Sequence, residues 1–354
     1  MTQIAAPSEK LTLGFVPLLD AAPLIVAREQ GFFRAEGLHV VLSREPSWSS
    51  LRDKVSVGLL QGGQMLSPMP LAATLGLGGL KTAMLTGLAL SVNGNAITLA
   101  SDLHQALIAQ AGSAASPEQL SRALQQIVQQ RHQPLRLATV YPYSSHHYQL
   151  HSWLRMGGID PERDIKLIAV PPPRMTAQLR SGAIDGYCVG EPWNSLAELE
   201  GIGRITVTGY QLWPDAPEKV LGVTRRWAES HPSEHLALIR ALLRAAQWIA
   251  AADNREPLMR LLALPPYLDR AAESLLSADY LERWGEAPLY QRFWRNFAGM
   301  PWRDHGQQLL QQIQLAGQCP ALVDDGLVEA VYQPQLYRQA AQALKLPVPE
   351  RDQR

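Results

Sequence analysis

Only two cysteines occur in the 354 residues, Cys188 and Cys319, far apart and outside any CxxC pair. That is too few for a disulfide framework or a thiolate zinc site, and reduced thiols are the simplest expectation. Net charge is missing too, since 32 basic residues balance 32 acidic ones. No global field draws such a chain onto nucleic acid, an anionic membrane or an acidic substrate, so any anion it binds must be held locally. No apolar run reaches the roughly 18 residues that span a bilayer. The opening MTQIAAPSEK lacks the basic start, apolar stretch and small-residue cleavage site of a secretory leader. The expectation is a cytoplasmic protein, with loss of a leader as the alternative.

Catalytic templates are absent as well. There is no nucleophile elbow and no P-loop, and Gly76-Leu77-Gly78-Gly79 does not meet the dinucleotide fingerprint. Nothing makes Asp185 and Glu191 a catalytic pair rather than loop or hinge residues. Arg225-Arg226 stands isolated, so no nucleic-acid footprint forms. The expected class is a binding protein without a cofactor or metal, not an enzyme.

What is present is an ordinary globular composition, 46% hydrophobic and 18% charged, on a chain longer than one core usually serves. Two lobes follow from that length. Strand and helix signals alternate through the first hundred residues: a strand at Leu11 to Val16, a helix over Ala22 to Phe33, and a strand at Leu38 to Ser43. Trp48, Leu51, Val55 and Leu59 then form a helical stripe that Ser47 can cap. Further strands are expected near Gln64 to Leu66, Thr82 to Leu90 and Ala96 to Ala100. A polar helical stretch from Asp102 to Gln130 leads into a second α/β block with strands at Leu135 to Val140, Ile165 to Val170 and Tyr187 to Val189. One helix of this block opens at Ser144-Ser145 and stops at Gly157-Gly158, and another follows Pro171-Pro172-Pro173. Beyond Pro232 helices dominate, at Glu234 to Ala252, Leu258 to Leu264 and Arg270 to Leu276. The expected architecture is α/β with a mostly parallel sheet per lobe. Residues 1–100 and 210–354 form the first lobe and residues 101–209 an inserted second one. Ligands of such sheets bind beyond the carboxyl ends of the strands, where helix N-termini offer unpaired N–H groups.

Four residue groups stand out. His146 sits at the first turn of its helix, either a surface histidine or a donor toward an anion. His147 and His151, four apart, have metal-ligand spacing, but the glutamate of a zinc-protease motif is replaced by Tyr148. Trp48 is either core, on the stripe of Leu51 and Val55, or an indole N–H donor. Lys219 follows the rigid Trp213-Pro214-Asp215-Ala216-Pro217 turn and faces either water or a cleft.

As a set, several segments resemble the nitrate- and bicarbonate-binding branch of the type II periplasmic binding proteins. They are Glu45-Pro46-Ser47-Trp48, Ser67-Pro68-Met69-Pro70, Asn93-Gly94-Asn95, Pro171-Pro172-Pro173, Asp185 through Asn194 with its Gly-Glu-Pro-Trp, and Pro217-Glu218-Lys219. The resemblance covers about residues 11 to 225 and implies two α/β lobes closing on a small anion. It places a nitrate pocket on Trp48, Asn95, His146, Gly190 and Lys219, with Asn95 where the family usually has glutamine. Bicarbonate relatives carry Gln and Glu at the positions of His146 and Lys219, so the resemblance favours nitrate or nitrite. Combined with the leaderless start, it implies a cytoplasmic sensor of the NasS type. Such a sensor holds a NasT-like, ANTAR-type antiterminator and releases it on nitrate binding. An extracytoplasmic receptor of an ABC transporter, and more remotely an enzyme on the same fold, are the alternatives.

Overall fold

The computed structural model describes residues 10–269, 271, 291–320, 323–324 and 326–352. Among these residues ten strands form two sheets. The first has β1 (Lys10–Phe15), β2 (His39–Arg44), β3 (Gly62–Leu66), β4 (Met84–Val92) and β10 (Pro217–Thr224), in the order β2-β1-β3-β10-β4. The second has β5 (Asn95–Ala100), β6 (Leu135–Thr139), β7 (Ile165–Ala169), β8 (Gly186–Gly190) and β9 (Gly203–Thr208), in the order β7-β6-β8-β5-β9. In each sheet four strands share a direction and one opposes its neighbours: β10 against β3 and β4, β5 against β8 and β9. The opposed strand is the one that arrives directly from the other lobe. It enters at the carboxyl ends of its neighbours, so its first residues lie at the edge where such sheets take ligands.

The first crossing comes earlier than the composition shift at Asp102 implies. β5 already belongs to the second sheet, with Asn95 opposite Gly190. At the other end, Leu212 buries in the second lobe's core. The polar character from Asp102 onward marks the start of a surface helix, not the passage between lobes.

Local signals explain most elements. Ser47 caps the helix Trp48–Ser56 by accepting from the Ser50 N–H, and Ser144 caps the helix Ser145–Met156 by accepting from the His147 N–H. The first of these ends before Gly58, whose φ of +80° breaks the stripe, so Leu59 is 68% exposed instead of packed. Gly31, also left-handed, divides the expected Ala22 to Phe33 helix into Ala22–Glu29 and Phe32–Ala35. The Asp102 to Gln130 stretch likewise splits, into Ser101–Ala111 and Pro117–Gln130, the latter opened by a Ser116/Gln119 capping box. The expected helix from Arg270 to Leu276 lies outside the described residues, Ala271 aside.

Each lobe has its own apolar core. A third cluster lies between them, joining Val16, Trp48 and Met65 of the first to Val140, Tyr187 and Trp193 of the second. Polar bonds lock the same seam. The Trp193 indole donates to the Pro17 carbonyl at 3.1 Å, the Leu19 N–H to the Glu191 carbonyl at 2.8 Å, and the Tyr148 hydroxyl to Gln318 at 2.7 Å. The lobes are therefore closed on one another. A cavity of about 470 Å³ opens at their mouth, lined by Pro17, Arg44 and Ser47 on one side and Pro171, Pro173 and Arg174 on the other.

Candidate functional site

The site is built where the seam meets the strand ends. The Ser47 cap fixes the entry of the helix that carries Trp48, and its indole is buried with Nε1 unpartnered among the described residues. A buried N–H without an acceptor is costly, and in native proteins such a donor generally meets something. The ammonium of Lys219 stands 5.3 Å from the centroid of the Trp48 ring, within cation–π range.

Lys219 is fully buried and bound by two carboxylates. Its Nζ lies 2.7 Å from Asp20 Oδ2 and donates to Glu218 Oε1. Burial alone would depress its pKa, but the charges of Asp20 and Glu218 outweigh that and raise it, so the ammonium persists. Glu218 and Lys219 are sequence neighbours, which in a regular strand point to opposite faces. Here β10 carries register shifts against β4 on both sides of Lys219, and both side chains reach the same site. Gln64 of β3 orients Asp20: its amide oxygen accepts from the Val16 N–H at 2.9 Å, and its NH₂ donates to Asp20 Oδ1. Burial pushes Asp20 up to about 6 against the pull of Lys219.

From the second lobe come His146, Asn95 and Gly190. His146 is fully buried in the first turn of its helix, with Nε2 3.3 Å from Glu218 Oε1. Burial lowers its pKa to about 3 despite Glu218, so the imidazole is neutral at physiological pH. The Asn95 NH₂ donates to Glu218 Oε2 at 2.5 Å and to Gln149 Oε1 at 3.1 Å, and Ser145 adds a hydroxyl donor to Glu218. Burial would raise Glu218, but His146 beside it, the Lys219 charge and the bonds from Lys219 and Ser145 more than offset this and hold the carboxyl below its usual range. Five atoms of this network have no hydrogen-bond partner among the described residues: Trp48 Nε1, Asn95 Oδ1, Gln149 Nε2 and both ring nitrogens of His146.

Gly190 is small for a reason visible in its surroundings. A methyl there would stand 3.0 Å from Leu18 Cδ2, 3.5 Å from Asp20 Oδ2 and 3.6 Å from Asn95 Oδ1. Gly190→Ala is expected to leave folding nearly intact, because only a side-chain tip must move, and to cut ligand affinity at least about tenfold by filling the space between Asp20 and Asn95. Matched thermal melts and ligand titrations check this, and full affinity in the variant would take Gly190 off the site wall.

All five residues singled out from sequence thus converge on one sealed point. Trp48 is both core and a spare donor, not one or the other. Asp20, Gln64, Ser145, Gln149 and Glu218 were not foreseen, although they supply most of the polar wiring. His147 and His151 are both buried, with rings tilted by 37° and centroids 4.0 Å apart, and no group of three metal-ligand side chains occurs among the described residues.

The family model for NMT1-like proteins matches residues 4–263. The chain belongs to the NMT1-like family. This NMT1-like chain is 38% identical to the nitrate import ATP-binding protein NrtC of Synechocystis sp., a match covering 97% of the chain and 51% of that protein. It is 41% identical to the bicarbonate transport ATP-binding protein CmpC of the same organism over 73% of the chain and 38% of that protein. The chain therefore spans about half or less of the length of these two relatives. Its fold is similar to the crystal structure of the periplasmic nitrate-binding protein NrtA from Synechocystis, with a TM-score of 0.90 at 29% identity, covering 98% of this chain and 92% of that one. These relatives of the NMT1-like chain are named for anion import, transport and binding. No helix among the described residues is long and apolar enough to cross a membrane.

Proposed function

We propose that the chain binds nitrate or nitrite between its lobes and acts as a NasS-type sensor that holds an ANTAR-type, NasT-like antiterminator until the anion arrives. The observation that carries the ligand assignment is the buried, unpartnered Trp48 N–H beside the Lys219 ammonium, with Gln149 Nε2 a second spare donor in the same network. Nitrate is flat and offers only acceptors, so donors converging from both lobes suit it. Bicarbonate also brings an O–H, and the resemblance places a glutamate in its binders where this chain has Lys219. Similarity to proteins named for nitrate import and nitrate binding supports the same choice. A ligand gripped by both lobes favours the closed arrangement, and a partner preferring the open one would be released.

The likeness to the periplasmic NrtA structure favours one second reading, a receptor that delivers the anion to an ABC transporter. Calorimetric titration with nitrate, nitrite, bicarbonate and sulfate tests the ligand. Heat is expected with nitrate or nitrite and none with sulfate, whereas a response to bicarbonate alone would replace the assignment. Capture of the antiterminator by the anion-free protein, and its release by nitrate, would separate sensor from receptor. Absence of capture would leave the receptor reading standing.

A further inference from the structure

The charges in the sealed site do not balance for an anion. Lys219 contributes one positive charge, His146 is neutral, and Asp20 and Glu218 are both within ion-pair distance of the single ammonium. Two carboxylates already exceed one cation, so a monoanion would bring the enclosed net charge to two negative units. In a site without bulk water that excess is relieved by protonation.

The hydrogen bonds indicate which group takes the proton. Glu218 is held by three donors, the Lys219 ammonium, the Ser145 hydroxyl and the Asn95 NH₂, while His146 Nε2 stands 3.3 Å away without a hydrogen bond to it. Among the described residues Asp20 receives only the Lys219 ammonium and the Gln64 NH₂, and it faces Glu218 across the shared lysine. Fewer donors and a like charge opposite make Asp20 the carboxylate whose ionised form is least supported.

Resting on the nitrate or nitrite assignment above, we propose that the anion enters this site together with one proton from solvent, taken up by the Asp20 carboxylate, which becomes a neutral carboxyl. Anion and proton then add no net charge, and Lys219 is freed from half of its pairing to face the ligand. Asp20 is thereby a specificity-determining residue. It admits monoanions and disfavours doubly charged oxyanions, which would need a second proton. Its pKa of about 6 fits a carboxyl ionised at neutral pH yet easily protonated. The liganded form holds more protons, so binding strengthens as pH falls. Affinity is expected to drop about tenfold for each pH unit above about 6 and to level off below it.

Nitrate titrations of the full chain in phosphate and in Tris, whose ionisation heats differ, count the protons bound. Uptake approaching one per nitrate is expected near neutral pH, and Asp20→Asn should give buffer-independent heats and a flat pH profile. Nitrate binding with equal heats in both buffers overturns the proposal while leaving the ligand assignment intact. Uptake that persists undiminished in Asp20→Asn overturns the choice of Asp20. No heat from nitrate or nitrite at any pH removes the ligand assignment, and this proposal with it. The wild-type comparison decides the main point even if the variant folds poorly.

Discussion

Lys219→Met is expected to abolish anion binding and to destabilise the protein by about 3–5 kcal/mol at neutral pH, the usual range for removing one partner of a buried ion pair. The side chain is fully buried, and Met fills the volume of its hydrocarbon stem, so no large cavity is created. What remains is Asp20 and Glu218 facing each other without the ammonium that separates them. In a chain of this size the midpoint of thermal unfolding should drop on the order of 10 °C. The pH dependence identifies the cause. Without Lys219 the folded-state pKa of Glu218 moves above its unfolded value and that of Asp20, already raised, moves higher still, so the folded form binds more protons than the unfolded one. Stability is then recovered as pH falls and is lowest above the raised pKa values. Melts of wild type and variant near pH 5 and near pH 8 read this directly (both values about where Asp20 is protonated or ionised). A deficit of equal size at both would mean that Lys219 matters for packing and not for charge.

The same residues show how far sequence reaches. The caps Ser47 and Ser144 are local devices, legible because a side chain and the N–H it accepts lie three residues apart. They fix where Trp48 and His146 begin their helices, so both positions could be read without knowing the fold. Asp20 and Glu218 could not. Asp20 belongs to the site only because a short 3-10 turn after β1 turns it toward the end of β10. Glu218 belongs only because β10 departs from regular pairing, which strand alternation would deny. The opposed directions of β5 and β10 were hidden for a similar reason. Alternation of apolar residues gives a strand and its buried face, but not the lobe its partner comes from. The consequence is chemical. Lys219 read alone is a free counter-charge for an anion, whereas the folded site shows it already shared by two acids.

Trp48 allows its two roles to be separated by experiment. Trp48→Ala removes a large side chain from the apolar cluster that joins the lobes and should cost about 3–5 kcal/mol of stability. Trp48→Phe keeps most of the ring in that cluster and deletes the Nε1 donor, which has no partner among the described residues. If the donor served only the core, losing it would relieve a buried unsatisfied group and leave binding untouched. A donor aimed at the anion predicts the opposite for binding. A hydrogen bond to a charged acceptor is worth about 1.5–3 kcal/mol, so Trp48→Phe should weaken nitrate or nitrite affinity roughly 10- to 100-fold with little change in thermal stability. The Lys219 ammonium, 5.3 Å from the ring centroid, keeps a weaker aromatic face in the variant, so part of the loss comes from that contact. Wild-type affinity in Trp48→Phe would return Trp48 to a purely structural role and remove the donor on which the anion assignment chiefly depends.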